Sequence, residues 1–91
     1  MIRWIAPVDR VEVMQRVRSI VAAELQDDRL KIDDSTVIGD LPQWDSVTHF
    51  RIVVALENDF EFLFEFEEHT EIDTVGQLVD CICSKLTTDR T

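Results

Sequence analysis

Residues 46–60 carry apolar side chains on two sides of one helix, and few folds can accommodate that. Ile52, Val53, Leu56 and Phe60 repeat at helical spacing on one side, while Val47, Phe50 and Val54 make a second stripe. Such a helix is either wrapped by neighbours on both sides, or it packs one stripe inward and offers the other to a visiting surface. The residues alone leave both arrangements open.

The rest of the chain supplies partners for one stripe. Asp9 with Glu12 reads as a capping box with Asp in the cap role, and Val13, Met14, Val17, Ile20, Val21 and Leu25 recur at helical spacing, which predicts a helix over residues 9–26. Thr74 and Gln77 form a second capping box before Val75, Leu78, Val79, Ile82 and Leu86, so residues 74–86 are also helical. Cys83 lies at the edge of that stripe and is expected in the core, with Cys81 exposed as a reduced thiol. Residues 28–44 form a long loop containing Gly39 and Pro42, pinned by Leu30, Ile32, Val37, Ile38 and Leu41. Trp44 is a packing anchor at its end. Phe60 to Phe66 alternates apolar with acidic residues, a strand pattern by periodicity, but one strand in an otherwise helical chain has no partner. Core packing of the phenylalanines is expected there instead.

At 91 residues the chain reads as one domain over residues 1–91, and a domain of that size buries only somewhat more than about 60% of its unfolded surface. A deep enclosed active site is not expected. Formal charge is −10, with six Arg/Lys against five Asp/Glu in residues 1–31 and three against fourteen in residues 32–91. That field disfavours nucleic acid and anionic membrane and favours basic protein surfaces. No apolar run approaches the roughly 20 residues that span a bilayer, and the stretch before Val8 is too short and too interrupted for a signal peptide. A cytoplasmic monomer is the expectation.

Asp45-Ser46 stands where the loop meets the helix, and a serine there presents its hydroxyl at the positive end of the helix dipole, where an attached phosphate is favoured. By itself such a serine is most often only a cap. The run Asp45-Ser46-Val47-Thr48-His49-Phe50-Arg51-Ile52-Val53-Val54-Ala55-Leu56-Glu57-Asn58-Asp59-Phe60 resembles the second helix of acyl carrier proteins, whose Asp-Ser-Leu motif bears a phosphopantetheine arm. The resemblance runs ungapped from residue 39 to residue 86, through Phe60 to Glu68 and Ile72-Asp73-Thr74-Val75, and the first helix fits by pattern.

The resemblance implies an all-α, acyl-carrier-like four-helix bundle of the stand-alone type, with three longer helices and a short one at residues 66–70. It implies Ser46 as the attachment site of 4'-phosphopantetheine, with Asp45 flanking it. The arm would come from coenzyme A through a phosphopantetheinyl transferase and hold acyl groups as thioesters for loading and processing enzymes with basic docking surfaces. Val47, Phe50, Arg51, Val54 and Glu57 would face those partners, and the carrier would catalyse nothing itself. Thr48 and Arg51 stand where carriers of fatty acid synthesis usually have acids, which points to polyketide or related specialised biosynthesis, and Asp45 leans towards acyl over peptidyl or aminoacyl carriers. Glu61 and Glu65 depart from the family's usual Gly or Asp and Pro and put the turn geometry in question. An unmodified acidic helical adaptor is the alternative from another class.

Other chemistries fit poorly. Ser46, His49 and Asp45 lack the strand and glycines of a hydrolase nucleophile elbow. His69 among Glu67, Glu68 and Glu71 reads as a solvated histidine, Asp33-Asp34-Ser35 lacks the spacing of a calcium loop, and no cysteine–histidine set makes a zinc site, so no metal is expected.

Overall fold

A computed structural model describes residues 9–27, 29–65 and 71–88. Three helices account for most of them: α1 (Arg10–Leu25), α2 (Ser46–Phe60) and α3 (Val75–Thr88). No strand occurs among the described residues, and one short 3-10 turn, Ile38–Asp40, lies in the loop between α1 and α2. The short helix expected at residues 66–70 lies outside the described residues.

α1 packs against both α2 and α3. Val13, Val17 and Val21, one residue per turn, are fully buried against Ile52, Leu56 and Phe60 of the α2 inner stripe and Leu78, Val79 and Ile82 of α3. No polar side chain is buried among the described residues, so apolar packing holds the core and ion pairs tie its rim. The basic bias of the first segment has a physical use there. Arg10 of α1 bridges Asp34 in the loop (2.7 Å) and Asp80 of α3 (2.8 Å), and Arg16 grips both carboxylate oxygens of Asp59 at the end of α2.

Both of the first two helices end in left-handed turns. At Gln26 (φ 56°) the Asp27 N–H reaches back to the Ala22 carbonyl, and at Glu61 (φ 60°) the Phe62 N–H reaches back to Glu57. Glu61 therefore adopts the turn that glycine would make more easily. Beyond it the alternating phenylalanines run extended without becoming a strand, because Glu57 supplies what a neighbouring strand would. Its carbonyl accepts from Phe62 and its carboxylate from Phe64 N–H (2.9 Å). Phe60, Phe62 and Phe64 turn inward in edge-to-face contact, with Leu63 exposed between them.

The long loop is pinned twice. Ile32, Ile38 and Trp44 are buried, and its backbone pairs with the start of α3 through Ile38 N–H to Asp73 O (2.8 Å), Val75 N–H to Thr36 O (3.0 Å) and Gly76 N–H to Asp34 O (3.0 Å). Val37, expected as an anchor, is instead 41% exposed, because the antiparallel bridge to Thr74 turns its side chain outward. Cys81 also departs from expectation: it is half-buried like Cys83 and both pack against the core, with burial pushing the Cys83 thiol above its ordinary range.

Gly76 is where the loop comes closest to α3. A Cβ there would lie 2.8 Å from the Asp34 carbonyl oxygen and 3.2 Å from its Cα, both backbone atoms that cannot swing aside. Gly76→Ala should therefore destabilise by about 1–2 kcal/mol despite its better helix propensity, visible as a melting point several degrees lower. An unchanged or higher melting point would show that the loop can back away from α3.

Candidate functional site

The start of α2 divides its labour between two adjacent residues. Asp45 is extended (φ −89°, ψ −175°) and is the helix cap. Its carboxylate accepts the Thr48 N–H at 2.9 Å and its carbonyl accepts the His49 N–H at 2.8 Å. The Thr48 bonds hold the Asp45 carboxyl below the usual carboxylate range. With the cap position taken, Ser46 becomes the first helical residue. It is exposed and its hydroxyl makes no hydrogen bond among the described residues. Serine as a simple cap, the ordinary role at a helix start, is thereby replaced by a hydroxyl left accessible at the positive pole of the helix.

Ser46 opens onto a groove of about 690 Å³. Val37, Ile38 and Gly39 of the loop form one wall, Trp44, Asp45 and His49 the second, and Ile72 and Asp73 before α3 close the far side. The buried Trp44 indole donates from Nε1 to His49 Nδ1 at 3.1 Å, which fixes both rings and makes Nδ1 an acceptor. The members of a would-be Ser–His–Asp triad are thus engaged elsewhere: the Asp45 carboxylate with a backbone amide, and His49 Nδ1 with an indole.

Along α2 from Ser46, the second apolar stripe lies in solvent. Val47 is 66% exposed, Phe50 64% and Val54 37%, while Ile52, Val53, Leu56 and Phe60 are buried. Arg51 lies in the same stripe, its Nε 3.3 Å from the Glu24 carboxylate of α1. Glu57, at the far end, is half-buried and its carboxylate serves the Phe64 amide. Three features escaped the sequence pattern: the Trp44–His49 bond, the Glu24–Arg51 pair and the close approach at Gly76. Glycine two places after a capping threonine was the one available signal.

No family model matches the chain. The solution structure of a holo acyl carrier protein from Geobacter metallireducens is similar, with 26% identity and a TM-score of 0.78 over 86% of this chain and 90% of that one. With helices as the regular structure of the described residues, an accessible serine opening α2 and that match, the chain has an acyl-carrier-like fold.

Proposed function

We propose that this protein carries acyl groups as thioesters on a 4'-phosphopantetheine arm attached to Ser46. The observation that carries the reading is the accessible Ser46 hydroxyl, released by the Asp45 cap at the N-terminal pole of a long helix. The residues around it fit such an arm. The pole favours the phosphodiester, and Val37, Ile38, Trp44 and Ile72 give the groove beside it an apolar lining. When bound, the arm supplies the thiol that holds the cargo. The chain's own residues present the hydroxyl, keep the helix start fixed and shape the groove.

Thr48 and Arg51, where acids are usual in fatty-acid carriers, favour polyketide or related specialised biosynthesis. Asp45 favours an acyl over an aminoacyl cargo. The partners in this reading are a phosphopantetheinyl transferase and acyl-loading and acyl-processing enzymes, drawn in by the acidic field and docking on Val47, Phe50, Arg51 and Val54, with Glu57 at the margin.

Incubation with coenzyme A, magnesium and a broad-range transferase should add one phosphopantetheine to the intact mass, and Ser46→Ala should abolish the gain. No gain with several competent transferases, or a gain that survives the alanine change, would overturn the carrier reading and leave an unmodified acidic adaptor.

A further inference from the structure

The exposed stripe of α2 is the least typical surface of this chain. Val47, Phe50, Arg51 and Val54 fall at i, i+3, i+4 and i+7, so they make one continuous strip beginning beside Ser46. The chain as a whole has a formal charge of −10, yet between Val47 and Val54 the charge in this strip is an arginine, and Glu57 at its far end is turned to the Phe64 amide. Resting on the docking reading above, we propose that the surface that receives α2 is apolar, with a carboxylate placed opposite Arg51.

The geometry of Arg51 carries the argument. Glu24 of α1 lies 3.3 Å from Nε, an ion-pair contact on the α1 side of the guanidinium, and Arg51 makes no hydrogen bond among the described residues. A guanidinium with its hydrogen-bonding capacity unused presents its N–H groups in a fork that matches a carboxylate. The flanking acids are occupied nearer home, Asp45 by the Thr48 amide and Glu57 by the Phe64 amide. A basic surface set directly on the strip would place like charge against Arg51. Long-range attraction and close contact therefore ask for different partner residues: a basic periphery steers the approach, and an acid meets the strip. A second copy of this chain fits badly, since a two-fold contact through the strip would bring Arg51 towards Arg51.

Two short synthetic helical peptides are the probes, identical in their leucines and differing only in a glutamate or a lysine at one position beside them. Titrated into the isotope-labelled full chain at low salt, the glutamate peptide should shift the amides of Val47, Phe50, Arg51 and Val54. It should bind about fivefold tighter than the lysine peptide, against the pull of the overall charge. Arg51→Gln should erase that preference while the apolar contact persists. If the lysine peptide binds the same residues as tightly or more tightly, the carboxylate inference is wrong although the strip still docks. Silence at those amides with both peptides overturns the docking reading as well, and shifts there that grow with protein concentration alone assign the strip to a second copy. Each of these results is independent of whether Ser46 takes the arm.

Discussion

Leu56→Asp should abolish the cooperative thermal transition, whereas Val54→Asp, two positions away on α2, should leave it nearly unchanged. Leu56 is fully buried among α1 and α3 side chains and no basic group is buried near it among the described residues, so the new carboxylate must ionise unpaired or force the helices apart. Losses of that kind exceed about 4 kcal/mol, most of what a small domain has to lose. Val54 is on the solvent side, where aspartate costs little beyond about 0.5 kcal/mol of helix propensity. The functional consequence runs the other way: Val54→Asp keeps its circular dichroism but should lose most of its loading by an acyl-loading enzyme, because a charge now sits in the apolar strip. If Val54→Asp melts out as badly as Leu56→Asp, the outer stripe is covered in the native fold and the recognition surface lies elsewhere.

The same pair of residues shows what was legible in the sequence. Helical spacing sorted the apolar residues of α2 into two stripes, but periodicity reports only that residues share a side and says nothing of which side meets α1. Capping residues located the helix starts, since they act locally: Thr74 and Gln77 exchange the bonds of a capping box, whereas the box expected of Asp9 with Glu12 does not form, Asp9 instead accepting from Val11 with no return bond from Glu12 among the described residues. Contacts between residues distant in sequence were out of reach. Arg10 with Asp34 and Asp80, and Glu24 with Arg51, depend on how helices and loop are brought together, which no local pattern encodes. Val37 was misplaced for the same reason. Its apolar side chain read as an anchor, and a backbone bridge to Thr74 turned it out to line the groove instead. Ser46 stands at the start of α2 as its position in the sequence predicts, and its accessibility follows from Asp45 taking the cap, a division that two good capping residues in succession leave undecided on paper.

Trp44 joins the loop to the site, and its replacement separates packing from hydrogen bonding. The indole is 5% exposed, walls the groove beside Ser46 and donates to His49. Trp44→Ala removes the largest side chain of the loop and leaves a void that the short connections around Ile38 and Leu41 can only partly close, so a loss of about 3–5 kcal/mol is expected. Arm attachment to Ser46 should also slow, because the segment leading into α2 loses its anchor while Asp45 must still hold the helix start. Trp44→Phe keeps an aromatic ring of most of the volume and loses only the Nε1 bond, which should cost about 0.5–1.5 kcal/mol and leave attachment nearly intact. Thermal melts and transferase time courses on the three proteins compare the two contributions directly. If Trp44→Phe is as damaging as Trp44→Ala, the indole–imidazole bond holds the loop and the groove wall is secondary. His49 would then be the true anchor of the site, and His49→Ala should reproduce the whole defect.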